Sequence, residues 1–299
     1  MKNKLIVIAG PTAIGKTSKA IQLAQSLNCE IISADSRQFY KELKIGVAAP
    51  SSEELNTVEH HFIGHLSIAD YYNVSRYEQD VLQFLKSYFE LHQHAILVGG
   101  SGLYIDAVCK GIDELPDPDE DLRKQLKDTF IKEGLVPLKL QLEELDPEYY
   151  QIVDLNNPNR ILRAIEVCIS TGQTYTSLRQ NSAKSRDFKI VKIGLDRPRE
   201  ELFQIIEARV DKMIELGLVE EVKSLDQFKE LNALNTVGYK EIFNYLDGEW
   251  SLDKAIEKIK THTRRYAKRQ LTWFRKDEDI KWFHPHDMDE IIEHFILES

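Results

Sequence analysis

Residues Gly10-Pro11-Thr12-Ala13-Ile14-Gly15-Lys16-Thr17 fill every fixed position of the pattern G-x-x-x-x-G-K-[ST]. Set between an apolar β-branched run and an amphipathic helix, such a loop is an anion cradle. Successive backbone N–H groups converge on one place, and the helix dipole adds partial positive charge there. Lys16 brings a full charge to a polyphosphate, and Thr17 offers a hydroxyl to a Mg²⁺ ion bridging the phosphates. The loop does not choose among kinases, NTPases and transferases, because fold and function separate.

Further groups could act beside it. Asp35-Ser36-Arg37-Gln38 follows a short apolar run, which puts polar side chains at a strand's carboxyl end, the ligand side of an open parallel sheet. Asp35 is then a recognition or catalytic group, or a turn residue capping local backbone. Gly99-Gly100-Ser101-Gly102 repeats the arrangement after another apolar run, and its glycines allow close backbone approach. From Lys258 to Lys276 there are eight Lys or Arg residues and no Asp or Glu, with Tyr266, Trp273 and Phe274 among them. Basic and aromatic residues at helical spacing give a phosphate-binding face and a packing face. Arg160 and Arg163, three apart, share one helix face. The adjacent His60 and His61 lack the i, i+4 spacing of a helical metal pair, and with His65 they are read as structural or as part of a lid.

The elements needed to position these groups are legible. Strands are expected at 5–9, 29–33, 94–98 and 188–195. Helices are expected at 17–27, 75–91, 119–133, 135–145, 157–172, 198–216, 219–228, 238–246 and 251–276, with loop over 46–66. The fold class is α/β: a P-loop NTPase-like parallel sheet core flanked by helices, with an inserted all-helical domain. A stretch with six acids in nine residues at 113–121, containing Pro116 and Pro118, marks the boundary. The division is 1–114, a helical insertion at 115–185, and 186–299 completing the core.

Composition supports this. At 42% hydrophobic and 29% charged, the 299 residues suit a globular protein of one large domain or two modest ones. No apolar run approaches a membrane helix in length. Three scattered cysteines without a C-x-x-C pair favour thiols in a cytoplasmic protein over a disulfide frame. The net charge of −10 argues against nucleic acid as an average, yet the 258–276 segment is locally basic.

Several segments then fall in one order: GPTAIGKT (10–17), DSRQFY (35–40), HH (60–61), GGSGLY (99–104), NPNRILRAIEV (157–167), RPREELF (197–203), RVDKMIELGLVEEV (209–222), TVGYKEI (236–242) and TRRYAKRQLTWFR (263–275). In these the chain resembles the tRNA dimethylallyltransferases, also called tRNA isopentenyltransferases, over about residues 4–283. It departs in reading GVAAP at 46–50 where a Thr-Ala-Lys-Pro ending is usual, Ser101 where Thr is usual, and Ile205 where many members carry Arg.

The resemblance implies transfer of a dimethylallyl group from dimethylallyl diphosphate to N6 of adenosine 37, beside A36 in the anticodon stem-loop of tRNAs reading codons that begin with U. It implies that residues 10–17 and Arg209 hold the diphosphate, with Arg264 a second candidate, that Thr17 meets Mg²⁺, and that Asp35 is the general base. The tRNA contacts carried over are Asp35, Ser36, Arg37, Gln38, Ser101, Arg123, Asn159, Arg160, Ile161, Leu162, Arg163, Gly238, Tyr239 and Lys240. On the basic helix they are Arg264, Lys268, Arg269, Gln270, Trp273 and Arg275. A monomer suffices. Alternatives are an adenylate isopentenyltransferase acting on free AMP or ATP, a small-molecule P-loop kinase, and a non-catalytic RNA-binding protein. All three leave either the basic helix or the intact loop without a use.

Overall fold

The structure is a computed structural model that describes residues 3–113, 115–117, 119–179, 183–287 and 290–291. Glu114 and Pro118 of the acidic segment lie outside the described residues. The chain forms two compact units, one of residues up to Cys109 together with those from Arg186 onward, the other Lys110–Ser185.

In the first unit six parallel strands lie in the order β3-β2-β4-β1-β5-β6: β1 (Lys4–Ala9), β2 (Ile31–Ser33), β3 (His60–His61), β4 (His94–Gly99), β5 (Lys189–Leu195) and β6 (Lys281–Phe283). β1 is central and wholly buried because helices cover both faces, which is why Leu5-Ile6-Val7-Ile8 reads as a continuous apolar run. The period of two still sorts its side chains. Ile6 and Ile8 pack with Ala20 and Leu23 of α1 (Lys16–Leu27), Leu202 and Ile206 of α10 (Arg199–Glu215), and Ala267 of α13 (Leu252–Phe274). Leu5 and Val7 face Tyr77, Val81 and Leu85 of α3 (Val74–Tyr88) and Ile105 and Val108 of α4 (Gly102–Lys110). A further core joins α11 (Leu218–Ser224), α12 (Tyr239–Leu246) and α13 to Tyr40, Leu43 and Val47.

The second unit packs α5 (Glu120–Glu133), α6 (Val136–Leu145), α7 (Pro147–Ile152), α8 (Pro158–Thr171) and α9 (Tyr175–Leu178) around Leu126, Leu138, Leu142, Ile161 and Ile165. α8 starts as its sequence dictates: Asn157 accepts from the Arg160 amide, Pro158 stands at the first position, and Gly172 closes the helix with φ 67°.

The structure corrects the loop expected at 46–66. That segment holds α2 (Ser52–Thr57) and β3, and α2 begins in a capping box in which Ser51 and Glu54 bond each other's backbone N–H. α4, α7 and β6 were also not expected. α7 and β6 are too short to show a period. α4 follows its strand through only Gly100 and Ser101 and is nine residues long, too few turns to establish a period. Among the described residues no helix is long and apolar enough to cross a membrane.

Candidate active site

The carboxyl edge of the sheet collects three junctions. After β1 the phosphate loop turns into α1 through Gly15 at φ 98°, a left-handed backbone that a side chain would strain. Ala13 holds φ 66°, the local strain expected where a loop is shaped for a ligand. After β4, a Cβ on Gly99 would collide with the backbone of Ala34, so glycine alone lets the β2 and β4 junctions close together. After β2, the Asp35 carboxylate accepts from the Arg37 amide at 3.1 Å. Asp35 therefore caps its own turn.

The cavity over the phosphate loop, about 250 Å³, is lined by Thr12, Ala13, Gly15, Lys16, Thr17, Asp35, Gln38, Glu54 and Arg209. Lys16 Nζ donates to the Pro11 carbonyl at 2.8 Å. Burial lowers its pKa to about 8; Asp35 pushes it back up and Arg209 pushes it down. Burial likewise lowers Arg209, and Asp35 opposes the shift. Lys16 and Arg209 bring two cations to one cavity, with Asp35 acting on both, and so form a site suited to a multiply charged oxyanion.

Thr17 and the carboxylates of Asp35 and Glu54 open on the same cavity. Among the described residues no three His, Cys, Asp or Glu side chains group to hold a metal ion. A hydroxyl with few carboxylates, completed by phosphate oxygens, fits Mg²⁺ rather than a metal needing a full protein cage.

A second cavity, about 400 Å³, shares Thr12, Asp35 and Arg209 with the first and extends past Ser36, Arg37, Gly238, Lys240, Thr263, Tyr266 and Arg269. The Tyr266 hydroxyl is pushed up to about 12, first by burial and then by Asp35, against the pull of Arg37, of a hydrogen bond with Ser101 and of Arg269. The guanidinium of Arg269 lies 5.7 Å from the Tyr266 ring centroid. This cavity combines a carboxylate, an aromatic face and cations.

Two clamps fix the walls. Gln270, reaching from α13, accepts from the Thr12 amide at 2.9 Å and donates to the Gly100 carbonyl at 2.8 Å. Glu221 accepts from three consecutive amides, Lys44, Ile45 and Gly46, at 3.1, 2.8 and 3.0 Å, and from the Tyr239 hydroxyl at 2.6 Å. The turn so held presents the Val47 and Ala48 carbonyls to Gln38 Nε2.

Not every expected RNA contact is open to a ligand. Ile161 and Tyr239 are fully buried and Gln270 nearly so, which makes their side chains packing and bracing groups rather than RNA-facing ones. Leu162 packs against the core of the helical unit. Arg163 and Arg123 both pair with Glu166, at 2.9 and 3.0 Å, and Arg163 also donates to Pro116 O. Of the arginine pair on α8 it is Arg160, beside Asn159, that is exposed. Arg37 donates to the carbonyls of Asn232, Ala233 and Asn235 and so anchors the loop before Gly238. Arg264 pairs with Glu207 and stacks on Phe203, outside both cavities, whereas Arg209 lines both. Trp273 donates to Asp106 and Arg275 to Asp196, each at 2.7 Å, while Lys240, Lys268 and Arg269 are exposed.

The profile of the IPP transferase family matches residues 38–277. The chain is 50% identical to tRNA dimethylallyltransferase 1 of Bacteroides thetaiotaomicron over 99% of its length and 96% of that protein. It is 52% identical to the protein of the same name from Bacteroides fragilis, covering 96% of each.

The chain belongs to the IPP transferase family.

Solved structures agree. One is a full-length tRNA isopentenylpyrophosphate transferase from Bacillus halodurans, at TM-score 0.71 and 35% identity over 99% of this chain and 96% of that one. Another is a eukaryotic dimethylallyltransferase acting on tRNA, at TM-score 0.78 and 27% identity over 96% of this chain and 75% of that one. The kinase and free-nucleotide readings are not favoured by these relatives.

Three site groups of this IPP transferase escaped the sequence reading: Glu54, Tyr266 and Glu221. Ser51-x-x-Glu54 carries the capping-box signal, which would have shown a helix start but not the cavity below it. Tyr266 was visible as one aromatic in a basic helix without a reason to single it out. Glu221 has no local signal, because its amide partners lie some 175 residues away.

Proposed function

We propose that this IPP transferase moves a dimethylallyl group from dimethylallyl diphosphate to N6 of an adenosine next to the anticodon of tRNA, adenosine 37 beside A36. The observation that carries the reading is that Asp35 lines both the phosphate-loop cavity and the basic, aromatic cavity beside it. A donor and an acceptor bound in the two cavities would meet at that carboxylate.

The diphosphate lies under Lys16, the loop amides and Arg209, which stabilise the charge growing on its oxygen as the allylic C–O bond breaks. Thr17 would hold a Mg²⁺ ion, which supplies further charge neutralisation on the diphosphate. The adenine amine is a weak nucleophile, since its lone pair is delocalised into the ring. Asp35 accepts its proton as the N–C bond forms. An adenosine stacked in the anticodon loop cannot reach this depth and must be extruded. The Tyr266 face and the exposed Arg269 and Lys240 suit a splayed base and its phosphates. In the helical unit, Asn159 and Arg160 offer exposed contacts of their own. The setting is the cytoplasm, and one chain supplies every group named.

The test is incubation with labelled dimethylallyl diphosphate, Mg²⁺ and unmodified tRNA, with parallel reactions offering AMP or ATP as acceptor. Label in tRNA that disappears when adenosine 37 is replaced is expected. Label in the free nucleotide alone would overturn the acceptor, and phosphate transfer from ATP without prenyl transfer would overturn the reaction.

A further inference from the structure

A third cavity, about 860 Å³, opens beside the phosphate-loop cavity and shares Gln38, Ala48 and Arg209 with it. Apolar side chains make up most of its lining, Leu43, Ile45, Ala49, Leu55, Ile63 and Met213 among them, with Lys41, Lys44 and Lys212 also on its walls. Arg209 lines all three cavities.

That arrangement matches the directions around one reacting carbon. In a displacement at an allylic C1, the leaving oxygen and the incoming nitrogen lie on opposite sides, and the hydrocarbon chain leaves in neither direction. The leaving diphosphate belongs over Lys16 and the incoming amine beside Asp35. The adjoining, mainly apolar opening shares Gln38, Ala48 and Arg209 with the diphosphate cavity and so lies where the chain can turn. Five carbons, each about the ~30 Å³ share of a liquid water molecule, fill less than a quarter of such a space. The whole cavity is of the size that buries larger ligands, roughly 300–1,000 Å³.

We infer that the third cavity receives the hydrocarbon chain of the allylic diphosphate and is deep enough for at least one further isoprene unit, so that the protein transfers a ten-carbon geranyl group as well as a dimethylallyl group. This rests on the proposed prenyl transfer. The step is unchanged in its balance: the C1–O bond breaks with its electron pair going to diphosphate, the N6–C1 bond forms, and the amine proton passes to Asp35. Only the chain length differs. The mainly apolar walls favour hydrocarbon, and a volume of about 860 Å³ leaves room beyond five carbons.

Geranyl diphosphate and dimethylallyl diphosphate are offered separately to the wild-type protein with unmodified tRNA, and the modified nucleoside is read by mass. Geranyl transfer with kcat/KM within about tenfold of dimethylallyl transfer is expected, one misfitted methylene in an apolar pocket being worth about 10–200-fold. The variants Ala49→Phe and Leu55→Trp, which add bulk from two different sides, should each lower the geranyl-to-dimethylallyl ratio at least tenfold. Leu55 is partly exposed, so its variant keeps the test alive if Ala49→Phe does not fold. Dimethylallyl transfer without geranyl transfer, or a ratio unmoved by both variants, overturns the inference and leaves the proposed function standing. Failure of both donors overturns the proposed function, and this inference with it.

Discussion

Gln270 on the last long helix accepts a hydrogen bond from the backbone amide of Thr12 in the phosphate loop at 2.9 Å, across 258 residues of sequence. Its other side-chain atom holds Gly100, and no Cβ could stand at Gly100 without striking it. One buried amide thus ties the helix proposed to meet RNA to two of the three junctions of the site. Gln270→Ala would leave the Thr12 amide and the Gly100 carbonyl unpaired. A loss of about 1–3 kcal/mol in denaturant unfolding is expected, with weaker diphosphate binding by calorimetry. Unchanged binding together with lost stability would make Gln270 a fold residue only.

Glu221 gathers three amides and the Tyr239 hydroxyl around one carboxylate. Glu221→Ala should cost about 2 kcal/mol and raise KM for the allylic diphosphate, because Gln38, held by the same turn, lines its cavity. Tyr239→Phe removes one of four donors and should cost about 1 kcal/mol with little change in KM. Equal kinetic effects of the two variants would show that the turn does not depend on the carboxylate.

Asp35 lines two cavities and acts on both Lys16 and Arg209. Asp35→Asn should lower kcat by about 10²–10⁴-fold, the usual contribution of general-base catalysis, while tRNA affinity changes by less than about threefold. A parallel loss of tRNA affinity would make Asp35 a recognition group instead.

Lys16 has a pKa lowered by burial to about 8, against an ordinary 10.5. A lysine shifted down in the folded state is protonated more readily in the unfolded chain. The cost of burying its charge is therefore fully present below pH 8 and fades as pH rises to 10.5, so the ligand-free protein gains stability over that interval. Diphosphate needs the ammonium, so KM for the allylic diphosphate should climb above pH 8, approaching tenfold per unit. A flat KM from pH 7 to 9.5 would show that Lys16 does not bear on the diphosphate. Lys16→Met should stabilise the ligand-free protein below pH 8 and remove diphosphate binding.

Arg269 is exposed, lies against Tyr266 and lines the second cavity. Arg269→Ala should weaken tRNA binding and reduce the slope of log K against log salt by about one. Arg163→Ala, whose guanidinium is engaged by Glu166 and Pro116, should instead destabilise the helical unit and leave the salt slope nearly unchanged. Interchanged results would reverse which arginine meets RNA.

Features that depend on neighbours along the chain are legible before folding. The phosphate loop is eight consecutive residues, and its cradle follows from glycine turns and one helix start. The central strands announce themselves because burial on both faces demands unbroken apolar runs, and α8 because Asn157, Pro158 and Gly172 mark its ends. Segments too short to show a period, such as β3 and β6, stayed hidden. Which residues meet follows from the packing of the folded chain. It put Arg209 in the cavities and turned Arg264 to Glu207 and Phe203; it put Gln270 and Tyr239 inside, where they bond the backbone of Thr12 and Gly100 and the Glu221 carboxylate; and it set Arg160 outward while Arg163 turned to Glu166. It also brought Glu54 and Tyr266 to Asp35. Charge and helix period give a residue's side of its own helix. What that side faces depends on elements more than a hundred residues away, and their packing is settled by how the whole chain buries its apolar surface.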